Sequence, residues 1–214
     1  MNIKGYKHIL WDWNGTLFND VDLCHSLINE LLIEHSIPAI TLERYREIFT
    51  FPVKDYYEKA GLDLSNNSFE ELGKQWMKQY ELRKSDSSLF PFTLNVLEKI
   101  KECNIEQSIL SAYSEESLNA IVEQYGVAHY FNYLAGLDNI YATSKVEIGK
   151  ELMKKIGNGK GSVLMIGDTV HDFEVASEIG AECVLIANGH QCKERLVRYG
   201  VEVINSMEDF WKCL

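Results

Sequence analysis

An apolar run, HILW, ends in an aspartate, Asp12, and the chain continues WNGTLF. A carboxylate at the end of a strand, beside a tight Asn-Gly turn, is placed to attack an electrophilic centre and carry a covalent adduct, which splits one difficult displacement into two easier ones. Farther along, GDTVHD sets Asp168 and Asp172 four residues apart at a strand-to-helix junction. The two carboxylates then fall one turn apart on a single face near a helix N-terminus. Hard oxygen donors of this kind suit Mg2+, which bridges protein carboxylates to substrate phosphate. Ordinary helix capping is the competing reading of that pair. ILSA places Ser111 and Ala112 at a further strand end, where a serine alone also fits a plain turn, and Lys145 opens a helical stretch. The discordant residue is Asn14, because a carboxamide moves no proton.

Five short runs read as the buried parallel strands that position these groups: YKHILWD to Asp12, EQSILSA to Ala112, NYLAGLD to Asp138, SVLMIGD to Asp168 and ECVLIAN to Asn188. Helical patterns alternate with them: LNVLEKIKE, SEESLNAIVEQYG, SKVEIGKELMKKIG and TVHDFEVASEIG, with Gly126, Gly157 and Gly180 where left-handed caps would sit. This alternation predicts an α/β fold, a Rossmann-like doubly wound parallel sheet with ligands at the carboxyl ends of its strands. Residues 19–85 break the pattern. They hold amphipathic helices, with Leu23, Leu27 and Leu31 four apart and a Ser68/Glu71 capping box, and no convincing strand. The expected organisation is a core of residues 1–18 and 86–214, re-entered near Pro91, with an inserted α-helical cap over 19–85.

Composition narrows the class. The 214 residues are 46% hydrophobic and 11% aromatic, enough for one substantial core and a smaller appendage. A formal net charge of −11 with no basic cluster argues against nucleic acid as a partner. Apolar runs such as VLMI and CVLIA are strand-sized, far short of the roughly 18 to 20 residues that cross a bilayer. No membrane span is expected, and without a secretory signal the expected compartment is cytoplasmic. Five cysteines without CxxC spacing read as reduced packing residues. The Asn-x-Ser/Thr patterns at Asn14 and Asn66 carry no weight without export, and GNGKGS is rejected as a phosphate loop because Gly161 follows Lys160 and the segment precedes a strand.

DWNGTL at 12–17, ILS at 109–111, Lys145 and GDTVHD at 167–172 resemble, in order, the four motifs of the haloacid dehalogenase superfamily. The helical insertion and the PFTLNVLEKIKE segment resemble the first-type cap and following helix of its phosphoglycolate phosphatase-like members, so the resemblance spans the whole chain. It implies a phosphatase acting on a small phosphorylated metabolite through an aspartyl phosphate on Asp12. It further implies Mg2+ held by Asp12, the main-chain oxygen of Asn14, Asp168 and Asp172. Ser111 with nearby amides and Lys145 would hold the phosphoryl group, although Val146 departs from the family's frequent Lys-Pro. Gly15, Thr16 and Thr169 match family positions that shape the turns and assist the substrate anion, with Gly15 and Thr16 counted as substrate-binding and a purely structural role as the alternative. Lys54, in FTFPVKDYY, falls near the cap's specificity loop, with a solvated lysine as the alternative. Lys150 fits a solvated helix face better than the site, and His171 and His190 follow strand ends facing it, with a structural or solvated histidine as the competing reading of each.

In the resembled hydrolases an aspartate at the position of Asn14 protonates the leaving group and activates water. Such assistance contributes about 10²- to 10⁴-fold, so its loss weighs most on alkyl esters and least on acyl or aryl phosphates. Three outcomes stay open: a phosphatase using His171, His190 or a substrate group for protons; a catalytically attenuated phospho-ligand-binding protein; or a phosphonatase-like C–P hydrolase with Lys54 as its Schiff-base lysine. A phosphomutase needs the missing aspartate. Deamidation at Asn14-Gly15 is a further, minor route to a carboxylate. The sequence sets neither the substrate nor an oligomeric state.

Overall fold

The computed structural model describes residues 3–65, 68–137, 145–157 and 162–214. Asp138, Ser144, Asn66 and most of GNGKGS lie outside them. The strands are β1 (His8–Trp11), β2 (Phe18–Asn19), β3 (Ser88–Leu89), β4 (Glu106–Ser114), β5 (Tyr133–Leu137), β6 (Val163–Gly167), β7 (Glu182–Ile186) and β8 (Glu202–Ile204). The helices before β4 are α1 (Val21–Glu34), α2 (Leu42–Ile48), α3 (Val53–Ala60), α4 (Phe69–Arg83) and α5 (Thr93–Glu102). Those after it are α6 (Glu115–Gln124), α7 (Lys145–Ile156), α8 (Val170–Ile179), α9 (Lys193–Leu196) and α10 (Met207–Cys213).

Six strands form one parallel sheet in the order β5-β4-β1-β6-β7-β8. Winding begins at β1, proceeds outward through β4 and β5, then restarts on the other side with β6. That reversal is the switch point at which doubly wound sheets open a crevice beyond the carboxyl ends of their strands. The sheet is covered on both faces, as an all-parallel sheet requires. Alternation along β1 shows it: Ile9 and Trp11 enter one core with Val96, Leu97 and Leu118 of α5 and α6, while Leu10 enters another with Leu152 of α7 and Val175 of α8. The Trp11 indole donates to Gln107 Oε1 at 3.0 Å, so its polar atom is satisfied inside.

Helices α1 to α4 fall between β1 and β4. The antiparallel ribbon of β2 and β3 pairs Phe18 with Leu89 and Asn19 with Ser88, where the chain leaves the sheet and returns. Leu23, Leu27 and Leu31 are all buried in the larger core. Three details differ from the sequence reading. A sixth parallel strand, β8, extends the edge, and the ribbon is added. The Ser68/Glu71 capping box does not form, since Ser68 stands at the N-cap of α4 without a side-chain bond. A full capping box occurs instead between Thr169 and Asp172 at the start of α8.

Candidate active site

The carboxyl ends of β1 and β6 bring the expected carboxylates together. Donor oxygens of Asp12, Asp168 and Asp172 all lie within 4.8 Å of one another, and all three residues are buried. Asp12 follows β1, and its amide donates to the Ile166 carbonyl at 2.8 Å, so the backbone stays tied to β6 where the side chain begins. Lys145, the first residue of α7 and 2% exposed, places Nζ 2.5 Å from Asp12 Oδ1 and 2.7 Å from Asp172 Oδ1. Asp172 also accepts at Oδ2 from the Thr169 hydroxyl at 2.7 Å and amide at 3.0 Å. It therefore caps a helix and faces the cluster at once; the two readings of this residue are not exclusive.

Three carboxylates face one ammonium. Burial pushes the Asp12 carboxyl up to about 8, against the pull of Lys145, and the charges of Asp172 and Asp168 add to the push. Asp168 rises to about 6 through burial, opposed by His190 and reinforced by Asp172. Lys145 is raised despite burial, because both carboxylates hold it charged. Asp172 is lowered: Lys145 and the Thr169 bonds outweigh burial. An all-oxygen cluster with surplus negative charge fits a divalent hard cation.

Close packing fixes these groups. Thr16 donates its hydroxyl to Asp168 Oδ1 at 3.0 Å, and the His190 amide donates to Asp168 Oδ2 at 2.6 Å. Gly15 has φ +74°, and a Cβ there would stand 2.5 Å from both Asp168 Oδ2 and His190 Cδ2. Only glycine fits that turn. Ser111 is buried in β4, its Oγ accepting from the Tyr113 amide at 3.1 Å, and with Ala112 it lines the same cavity as the carboxylates.

Asn14 has unforeseen partners. Its carboxamide nitrogen donates to Asp20 Oδ2 at 2.8 Å and to the Tyr80 hydroxyl at 2.6 Å, and Tyr80 itself donates to Asp20 Oδ2 at 2.8 Å. Asp20 is the N-cap residue of α1, yet its side chain makes no cap bond. It accepts instead from the Gly15 amide at 3.1 Å and faces His190 Nε2 at 3.2 Å, while His190 Nδ1 meets the Tyr45 hydroxyl at 2.8 Å. Burial alone would raise Asp20, but His190, Asn14 and Tyr80 bring it below its ordinary value. Burial alone would lower His190, but Asp20 raises it. The sequence reading missed Asp20, Tyr80 and Tyr45. Their relation to Asn14 spans up to 66 positions and leaves no local pattern.

Other candidates fall differently. His171 lines the cavity with Nε2 buried and lacking a hydrogen-bond partner among the described residues, and burial lowers its affinity for a proton. Lys150 is exposed and paired with Glu147 at 2.9 Å. Lys54, in the first turn of α3, is exposed and does not line the cavity, whereas Lys74 and Lys78 of α4, which the sequence reading passed over, do. The cavity holds about 630 Å³ and runs from the carboxylates to an aromatic wall carried by α2 to α4 and the segments between them.

A sheet wound outward from β1, with a carboxylate after β1 and two more around the β6–α8 junction, defines a doubly wound α/β core with an acidic site at its switch point. The chain belongs to the haloacid dehalogenase-like hydrolase family, whose model matches residues 9–186. It is similar to the phosphoglycolate phosphatase of Synechococcus elongatus, 21% identical over 88% of this chain and 87% of that protein. The phosphoglycolate phosphatase of Caulobacter vibrioides is 23% identical over 96% and 89%. Among solved structures, a haloacid dehalogenase-like family hydrolase from Streptococcus pneumoniae superposes with TM-score 0.84 at 17% identity, over 97% of this chain and 98% of that one. A haloacid dehalogenase-like protein from Agrobacterium tumefaciens gives 0.79 at 20%, over 96% of each. No helix among the described residues is long and apolar enough to cross a membrane.

Proposed function

We propose that this protein is a Mg2+-dependent phosphatase that hydrolyses a small phosphorylated metabolite through an aspartyl phosphate on Asp12. The observation that carries the reading is the approach of Asp12, Asp168 and Asp172 donor oxygens to within 4.8 Å, with Lys145 charged against two of them, at the floor of a cavity. The names of the phosphoglycolate phosphatases it resembles support the reaction class. Asp12, Asp168, Asp172 and the main-chain oxygen of Asn14 would hold the cation. When bound, it supplies positive charge that keeps Asp12 ionised and offsets charge on the phosphoryl oxygens.

Asp12 attacks phosphorus, and Lys145 fixes the direction of that carboxylate while stabilising negative charge that grows nearby. Ser111 and the backbone amides beside it, including that of Ala112, hold the phosphoryl oxygens, and Gly15 and Thr16 keep the turn close to Asp168. The Asn14 carboxamide, engaged with Asp20 and Tyr80, supplies no acid proton. The leaving group departs as its anion or takes a proton from water, and water then attacks the acylphosphate phosphorus to restore Asp12. Five free thiols suit a reducing cytoplasm. The Schiff-base alternative finds no support from Lys54, which lies outside the cavity that Lys74 and Lys78 line.

Phosphate release measured with Mg2+ across alkyl phosphates, aryl phosphates and acetyl phosphate tests the proposal. Turnover of at least one of these falls by about 10³-fold or more in Asp12→Asn. Absence of Asp12-dependent release from every member overturns it.

A further inference from the structure

The cavity beyond Asp12 is built for more than a phosphoryl group. The wall carried by α2 to α4 and the segments between them presents Phe49, Phe51, Tyr56, Phe69 and Trp76, and Tyr113 of β4 lines the same cavity. Phe49, Phe51, Phe69 and Trp76 remain half-buried, so part of each side chain stays available to an occupant. Neighbouring rings hold the wall in shape: Trp76 stacks on Tyr80 at 5.2 Å, and Phe51 packs on His171 at 4.7 Å. A volume of about 630 Å³ is that of a drug-sized ligand site, many times what a phosphoryl group with a two-carbon acid occupies. Apolar surface of this kind is stabilised by covering it with another flat apolar body.

A second, independent observation concerns the leaving group. Asn14 stands where an acid would be needed, and both its amide bonds go to Asp20 and Tyr80. Without a carboxylic acid, departure is governed by the basicity of the leaving oxygen. A phenol has a pKa near ~10, against roughly 15.7 for water, which an alkoxide resembles. Phenolates therefore leave unassisted far more readily than alkoxides.

We propose, resting on the phosphatase reading above, that the substrate is an aryl monophosphate whose flat apolar ring fills the aromatic cavity while its phosphoryl group meets Asp12. An Asp12 oxygen forms a bond to phosphorus as the P–O(aryl) bond breaks; the electron pair leaves with the phenolate, which takes a proton from solvent. Water then attacks phosphorus, the P–O(Asp12) bond breaks, and inorganic phosphate departs. The net reaction is aryl phosphate plus water giving phenol plus phosphate.

The test is steady-state kinetics of the full chain with Mg2+ on 2-naphthyl phosphate, phenyl phosphate, 2-naphthylmethyl phosphate, phosphoglycolate and acetyl phosphate. 2-Naphthyl phosphate is expected to exceed phosphoglycolate in kcat/KM by about 10²-fold or more. 2-Naphthylmethyl phosphate, with an aromatic body but an alkoxide leaving group, keeps a similar KM and loses kcat. Trp76→Ala raises KM for 2-naphthyl phosphate about tenfold and affects acetyl phosphate less; Phe51→Leu, a milder change, shifts the same ratio in the same direction. Asp12-dependent hydrolysis of acetyl phosphate, with aryl and alkyl esters turned over equally well, overturns the aryl assignment and leaves the phosphatase standing. Equal losses for both substrates in folded Trp76→Ala and Phe51→Leu also overturn it. No Asp12-dependent turnover of anything, acetyl phosphate included, sinks both.

Discussion

A carboxylate at position 14 would stand 2.8 Å from that of Asp20, a buried group already held ionised by His190 and Tyr80. Asparagine turns that repulsion into a donated hydrogen bond. Asn14→Asp is thus not a simple restoration of an acid. Two like charges so close cannot both ionise, so the new group takes a raised pKa in the folded state. A folded chain that binds the extra proton loses stability as pH rises above the unfolded carboxylate value. Denaturant unfolding should find Asn14→Asp close to the parent near pH 4 and about 3 kcal/mol less stable at pH 8; equal stability at both pH values would show that Asp20 moves away. The Asn-Gly pair should also resist deamidation, because the Gly15 amide that must attack is bonded to Phe18 O at 2.8 Å and to Asp20. Peptide mass analysis after prolonged incubation at pH 8 should find residue 14 unconverted. Asp12 and Asp168 were legible in sequence because strand ends announce them, and Lys145 through the family resemblance. Asp20 was not, since what singles it out is a tyrosine from another helix and a histidine from beyond β7.

Elements were legible wherever an apolar run was long enough to need both faces of a sheet. The cores of β1, β4, β6 and β7 fall inside the runs read from sequence, and Gly180 with φ +78° closes α8 where its type suggested. β8 escaped because three residues at a sheet edge have no periodicity to detect, and β2 and β3 because two residues each are strands only through their pairing. The helices of residues 19–85 were legible as helices, but their attachment was not. Arg46 of α2 donates to the carbonyls of Gly189 at 3.0 Å and Asn188 at 3.3 Å, and Arg195 donates to Phe49 O at 2.6 Å. These bonds tie α2 and the loop after it to the segment that presents His190. Arg46→Met should cost about 1 to 3 kcal/mol by leaving two carbonyls without their charged donor, and should raise KM and lower kcat together, since the segment it anchors meets the aromatic wall and also supplies the His190 amide that holds Asp168. Chemical denaturation with steady-state kinetics checks both; a variant with unchanged KM would mean that the clamp plays no part in shaping the cavity.

For the molecule as a whole, the cluster couples protons, cation and stability. Asp12 and Asp168 rise from the ordinary 3.8 to about 8 and about 6. The folded protein therefore holds protons that the unfolded chain gives up above pH 4. By linkage, its stability in the presence of a chelator should decline as pH climbs from 4 towards 8. Lys145→Gln should steepen that decline and remove about 3 to 5 kcal/mol near pH 8, because buried carboxylates then lose their ammonium. The Mg2+ of the proposed function would compete with the same protons, so the sign reverses for binding: acid weakens it. Between pH 8 and 6 one proton must leave for each cation bound, and the Mg2+ dissociation constant should rise about tenfold per unit as pH falls, and more steeply below 6 when Asp168 also titrates. Calorimetry over pH 5.5–8.5, in buffers of differing ionisation enthalpy, counts the released protons directly. Asp12→Asn should flatten the upper limb while leaving the lower one, since only Asp168 then titrates at the cluster. A dissociation constant that stays level from pH 6 to 8 would mean that Asp12 remains ionised beside Lys145 throughout, and that the cation does not depend on displacing its proton.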